Sequence, residues 1–203
     1  MIHICQGYSF ADARHASMFR DRKTLFVDLL GWDVPVADGQ YEIDGYDGDD
    51  AFYLIAVDDD GRHMGSMRLL RTDQPHLLAD LFADLCTDDI PRGPHVMEIT
   101  RLCLPQRFGS AGRLWIRNRL ISAMVDHALA NKVSLLTGVV TAAYREQVLA
   151  MGWRSASLGP ARQHDGIALG AFRLDLDAET PARLAVHGIY APGMIVPAVT
   201  EAV

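Results

Sequence analysis

Apolar residues recur at near-helical spacing over residues 11–30, at Ala16, Phe19, Leu25, Phe26 and Leu29, which predicts a helix that Gly31 stops. Residues 33–50 are polar and rich in Asp and Gly, as in an ordered loop or lid. AFYLIAV (51–57) and HMGSMRLL (63–70) are strand-like runs separated by the turn residues DDDGR, which predicts a hairpin. A short helix is expected over 76–86. VMEITRLCL (96–104) alternates as a strand does, placing Glu98 and Thr100 on one face and Met97, Ile99 and Arg101 on the other. A longer helix follows over about 112–131. VSLLTGVV (133–140) reads as a buried strand, 142–151 as a helix ending at Gly152, 167–176 as a strand and 181–189 as a short last helix. An early hairpin and later strands separated by helices predict a mixed α/β sandwich with a largely antiparallel sheet.

The 203 residues suit one domain spanning 1–203, and no repeat or linker divides them. At 49% hydrophobic and 22% charged, the chain has the composition of a folded protein. No apolar run is long enough for a membrane span, so stable membrane association is not expected. The opening MIHICQGYSF lacks a basic region and a clean apolar region, so no secretory signal is expected and a cytoplasmic location fits. Cys5, Cys86 and Cys103 are widely spaced with no CxxC, which argues against a disulfide framework and reads as small buried residues. The histidines show neither HxH nor H-E-x-x-H spacing, so no metal is expected.

The net charge of −7 argues against nucleic acid as a partner. Its distribution is uneven. Glu42, Asp44, Asp47, Asp49, Asp50, Asp58, Asp59 and Asp60 crowd residues 42–60, where Glu42 and Asp49 read as surface acids. Between Glu98 and Asp126 there is no acid, while Arg101, Arg107, Arg113, Arg117 and Arg119 all fall there. Such a stretch is either a solvated helix face or a dock for an anionic partner.

Particular residues sharpen this picture. Arg22, Phe26 and Trp32 in RDRKTLFVDLLGW, Asp44 and Asp47 in EIDGYD, Arg68 in GSMRLLRT, and Glu98 and Arg101 in MEITRL keep an order and spacing that resembles the LuxI-type acyl-homoserine-lactone synthases. The resemblance is specific over the first half and weaker to about residue 176. It implies the GCN5-related N-acetyltransferase fold. It also implies a reaction in which S-adenosylmethionine, as substrate, is N-acylated by an acyl thioester of acyl carrier protein or coenzyme A. Lactone closure then releases methylthioadenosine, and the product is a quorum-sensing signal.

By the same resemblance Glu98 and Arg101 are the catalytic candidates. An amine attacks a thioester only as the free base, so a nearby carboxylate has a defined task. A regular strand sends Glu98 and Arg101 to opposite faces, and a bulge could bring both toward one cleft. Arg22, Asp44, Asp47 and Arg68 are expected to form one network that holds an N-terminal segment, about 1–50, over the cofactor. Phe26, Trp32 and Leu102 would line that site. Met67, Leu69, Gly138, Val139, Val140, Thr141 and Met151 are candidates for the acyl pocket, with core packing the alternative for each. Gln106-x-x-Gly109-x-Ala111 resembles the pyrophosphate loop of the acetyltransferase fold. With Arg107, Arg113 and Arg117, Gly109 makes up a candidate donor dock.

The chain departs from the family pattern W-E-[LIV]-S-R-F, reading Met97-Glu98-Ile99-Thr100-Arg101-Leu102, without the flanking aromatics. Arg71-Thr72 stands where L-P-T is frequent. The rival readings are a coenzyme A-dependent N-acetyltransferase, supported by the 106–111 loop, and a ligand-sensing domain without turnover.

Overall fold

A computed structural model describes residues 1–192 and 195–196. Its strands are β1 (Ile2–Gln6), β2 (Val36–Ala37), β3 (Tyr41–Glu42), β4 (Phe52–Val57), β5 (His63–Arg71), β6 (Val96–Cys103), β7 (Leu135–Thr141), β8 (Arg154–Ser157), β9 (Arg162–His164), β10 (Ile167–Asp175) and β11 (Ile195–Val196). Its α-helices are α1 (Ala13–Arg22), α2 (Leu77–Asp80), α3 (Gly109–Ala130), α4 (Ala142–Leu149) and α5 (Thr180–Val186). Among the described residues no helix is long and apolar enough to cross a membrane. The chain forms two compact units. One holds Met1–Arg68 and Arg101–Ala123 with the described C-terminal strand, the other Leu69–Thr100 and Met124–Ala191.

In the first unit the strand order is β11-β1-β4-β5. β1 pairs antiparallel with β4 and parallel with β11. Ile2 and Ile4 alternate inward, whereas β4 is buried almost throughout, so its apolar run is continuous. Asp12 caps α1, its Oδ1 accepting from Arg14 N–H at 2.9 Å. The expected helix runs on past Arg22 as a π-helical segment, Lys23–Leu29, in which Leu30 N–H reaches Leu25 C=O at 3.1 Å. Gly31, at φ +67°, ends it where a Cβ would be strained. β2 and β3 form a small hairpin inside the segment expected to be a loop.

In the second unit the order is β6-β7-β10-β8, with β9 also on β10. β6 and β7 are parallel, and β10 runs antiparallel to β7, β8 and β9. The helix expected over 76–86 is split into the single turn of α2 and a 3-10 turn at Ala83–Leu85. Leu78, Leu85 and Ala171 bury an apolar cluster, with Phe82, Cys86, Ile90, Val139, Leu158 and Leu169 packed on it. The pairing is mixed but mostly antiparallel and the sheet is flanked by helices, as the sequence pattern predicts. The strands absent from that prediction are β1, the β2–β3 hairpin, β8, β9 and β11, all short.

Candidate functional site

The charged residues singled out in the first unit meet in a closed ring. Arg22 Nε donates to Glu42 Oε2 at 2.6 Å, and its two terminal nitrogens donate to Asp47 at 2.9 and 2.8 Å. Arg68 reaches Asp47 at 2.8 Å and donates to Asp44 at 2.6 and 3.0 Å. Arg101 lies 2.7 Å from Asp44 Oδ2 and donates to Glu42 Oε1 at 3.1 Å. The order around the ring is Arg22, Asp47, Arg68, Asp44, Arg101, Glu42 and back to Arg22. Guanidinium and carboxylate alternate, so the formal charges cancel. Tyr53 Oη donates to Asp47 Oδ1 at 2.9 Å, and Asp44 N–H to Asp47 Oδ2 at 2.9 Å.

Arg22, Arg68 and Glu42 are 1%, 1% and 0% exposed. Charges this dry are tolerated only when paired and hydrogen-bonded. Burial alone would raise the Asp47 carboxyl, but Arg22 and then Arg68 hold it far below the usual carboxylate range. Asp44 is likewise lowered against its burial, by its bonds to Arg68 and by the charge of Arg101. Glu42 corrects the sequence reading, since it is no surface acid but the carboxylate between Arg22 and Arg101. Its partner Arg101 stands far along the chain, so no local pattern marks it.

Phe26 and Trp32 stack with centroids 4.7 Å apart and planes 9° from parallel. The π-helical segment makes this possible, because Trp32 N–H bonds Phe26 C=O at 2.8 Å and turns the loop back over the ring. Arg101 stands over both, 5.6 Å from the Phe26 centroid and 5.8 Å from that of Trp32. Arg101 has φ +51°, a left-handed conformation rare for a side-chain-bearing residue in a strand. The regular alternation of β6 therefore stops at Arg101. Leu102 is half-buried next to it and Met67 is buried on β5.

In the second unit Glu98 is fully buried on β6. Its Oε1 accepts Leu78 N–H at 2.9 Å, one of the donors that the first turn of α2 leaves over. Thr137, also fully buried, is its register partner on β7. Of the acyl-pocket candidates here, Leu69 and Met151 are buried, Val139 packs on the Leu78–Leu85–Ala171 cluster and Val140 is half-buried. Gly138 faces Phe172 across the strand pair, and a Cβ there would stand 2.7 Å from the ring. Thr141 is exposed and caps α4, accepting from Tyr144 N–H at 3.3 Å.

The donor-dock candidates lie in the first unit. Gly109 opens α3 at φ +61° after a 3-10 turn at Gln106–Phe108. Arg107 is engaged by Asp21, at 2.8 and 2.7 Å, and by the His63 carbonyl. Arg113 and Arg117 are half-buried on α3, beside the exposed Leu114 and Trp115, and Arg119 lies 3.9 Å over the Trp115 ring. Among the described residues, no three His, Cys, Asp or Glu side chains group as metal ligands would.

Comparison with known proteins gives the family. The chain matches the model of the autoinducer synthases over residues 8–184. An acyl-homoserine-lactone synthase of Ralstonia nicotianae is 34% identical over 187 residues, 90% of this chain and 92% of that protein. Of solved structures, TofI in a ternary complex with an inhibitor and MTA is 30% identical, with a TM-score of 0.77 over 91% of this chain and 96% of that one. The acyl-homoserine-lactone synthase LasI is 27% identical, with a TM-score of 0.81 over 96% and 98%. The chain therefore belongs to the acyl-homoserine-lactone synthases, acyltransferases that take S-adenosylmethionine as a substrate in making quorum-sensing signals.

Proposed function

We propose that Glu98 is the group that relieves the amine of S-adenosylmethionine of its proton, directly or through water. The amine then attacks the thioester carbonyl, the C–N bond forms and the thiol leaves. The methionyl carboxylate next displaces the sulfonium from its own chain, closing the lactone and releasing methylthioadenosine. The observation that carries this reading is a fully buried carboxylate in mid-strand, three residues before Arg101.

Arg22, Asp44, Asp47 and Arg68, with Glu42, fix the N-terminal segment, about residues 1–50, as the cover of the cofactor site. Support comes from the closure of the ring across segments distant in sequence. Phe26 and Trp32 offer an aromatic face to the adenine or the sulfonium, where cation–π attraction is available, with Leu102 beside them. Arg101 positions the methionyl carboxylate or a backbone carbonyl. Met67, Leu69, Gly138, Val139, Val140, Thr141 and Met151 are assigned to the acyl chain. The Thr141 hydroxyl also caps α4.

The donor is proposed to be acyl carrier protein, met by Arg113 and Arg117 with Gly109 and Arg107 at the start of α3. Exposed Leu114 and Trp115 among arginines suit a protein partner that is acidic and partly apolar. Release of methylthioadenosine, measured with matched acyl-carrier and acyl-coenzyme A donors, tests both parts. Release with neither donor would sink the catalytic reading, and a preference for coenzyme A would overturn the donor assignment alone.

A further inference from the structure

Two strand pairs set three polar residues in one row across the second unit. Glu98 on β6 is the register partner of Thr137 on the parallel β7, and Thr137 is the register partner of Arg173 on the antiparallel β10. Register partners on neighbouring strands point to the same face, with the strands about 4.8 Å apart. Carboxylate, hydroxyl and guanidinium therefore follow one another across the sheet. α2 closes this face. Leu78 N–H donates to Glu98 at 2.9 Å, and Val139 and Ala171, two residues along from Thr137 and Arg173, pack with Leu78 in one apolar cluster.

The acyl transfer uses Glu98 and leaves Thr137 without a role. Thr137 is fully buried, and its Oγ1 makes no hydrogen bond among the described residues. Valine has the same outline and would suit this apolar strand, so a dry hydroxyl here is a cost unless it is used. The acceptor that the register brings beside it is Glu98. On its other side, Arg173 Nη2 donates to Asp175, while Arg173 Nε is buried and makes no hydrogen bond among the described residues. A hydroxyl can accept on one side and donate on the other, so a guanidinium behind Thr137 favours donation toward Glu98. The other titratable side chains on the elements around the row are His76, Asp80 and Asp84. Asp80 and Asp84 are exposed, and the His76 ring is hydrogen-bonded through Nδ1 to Gln74 C=O at 2.9 Å.

We propose that Thr137 is a positioning residue for the base, its hydroxyl holding the Glu98 carboxylate directly or through one water, with Arg173 behind it. The hydroxyl keeps its own proton throughout. Its donation favours the charged form of a carboxylate in a dry site, and it fixes the direction from which the proton of the amine is taken. This inference rests on the assignment of Glu98 as the base.

The test follows methylthioadenosine release against pH in the unaltered protein, Thr137→Val and Thr137→Ser. Loss of a donor to the carboxylate raises the pH at which the base is protonated. The acid limb of kcat/KM should therefore move up by about one pH unit in Thr137→Val, with activity about tenfold lower on that limb and recovered at higher pH. Thr137→Ser should keep the limb in place. The substrate amine titrates alike in all three, so the displacement belongs to the protein. An unmoved limb overturns the proposal, and so does a loss in Thr137→Val that is equal at every pH, the mark of a merely structural role. Should Thr137→Val fail to fold, the Thr137 methyl resonance of the unaltered protein decides. It should shift with pH, and the shift should vanish in Glu98→Gln. A methyl signal that ignores pH, or one that titrates unchanged in Glu98→Gln, overturns the pairing. Full methylthioadenosine release by Glu98→Gln, with the methyl shift abolished, counts against Glu98 as the base and not against its pairing with Thr137.

Discussion

Glu42 and Glu98 are both fully buried carboxylates, one in each unit, and they are held in different ways. Glu42 sits between Arg22 and Arg101, inside a ring whose charges cancel. Glu98 accepts a backbone N–H from Leu78 and faces Thr137 across the strand pair. A carboxylate with two guanidinium partners is fixed in place, which suits a fastener. Glu98 stands in mid-strand with a backbone donor on one oxygen, at the position where the proposed reaction needs a proton acceptor. The two glutamates should therefore fail differently when altered.

Glu98→Gln gives the largest functional effect. The amide oxygen can still accept Leu78 N–H, so the fold should hold, with thermal midpoint nearly unchanged. Turnover should drop by roughly 10²–10⁴-fold, because the proton acceptor is gone. Steady-state release of methylthioadenosine checks this. Full activity in the folded variant would remove Glu98 from the mechanism without touching family membership.

Breaking the ring should instead cost stability. Arg22→Ala leaves Asp47 and Glu42 each short of a buried partner, and removing one member of such a pair costs about 3–5 kcal/mol. Denaturant unfolding of Arg22→Ala, Asp47→Ala and the double variant measures the coupling. Their effects should be far from additive, with an interaction of about 0.5–3 kcal/mol. Strict additivity would mean that the ring is a set of independent charges, and the contrast with Glu98 would lose its basis.

Acid separates the two arrangements by a third route. Asp44 and Asp47 have carboxyls lowered by folding, so their contribution to stability is present in full above the ordinary unfolded carboxylate range. It is lost as pH falls through that range and on toward the folded values. Thermal midpoints followed from neutral pH into acid should fall, and the fall should be shallower in Asp47→Asn. An equally steep acid limb in that variant would place the acid-sensitive groups elsewhere.

How much of this was legible beforehand depends on how local the cause is. The β4–β5 hairpin, β6, β7 and α3 are written in contiguous periodicity, and the structure has them where the pattern puts them. Asp44, Asp47, Arg22 and Arg68 stood out by spacing and do meet. Glu42 does not stand out, because its partners Arg22 and Arg101 are both distant in the chain and in an acid-rich stretch it resembles its exposed neighbours. The stack of Phe26 on Trp32 was hidden for a related reason. Six residues do not align on an α-helix, and the π-helical segment that brings the loop back leaves no clear mark in composition. β8 and β9 are short and polar, RSAS and RQH, and owe their strand geometry to β10 beside them.

Exposed charge should give the smallest and most salt-sensitive effect, in contrast with the ring. Arg113 and Arg117 on α3 are only half-buried, and nothing acidic lies between Glu98 and Asp126 to offset them locally. Charges of this kind act mainly on encounter with a partner and are screened over about 8 Å at physiological ionic strength. Arg113→Glu and Arg117→Glu should therefore leave the thermal midpoint and kcat almost unchanged. KM for an acyl-carrier donor should rise by a few-fold, and by more at low salt than at high salt, since salt already removes much of the attraction. If the 106–111 loop holds a coenzyme A pyrophosphate through its backbone, KM for the matched coenzyme A donor should move less, and Gly109→Pro should impair it where the arginine changes do not. A carrier-protein KM that ignores both ionic strength and charge reversal would detach these arginines from donor binding and leave the proposed roles of the buried ring and Glu98 untouched.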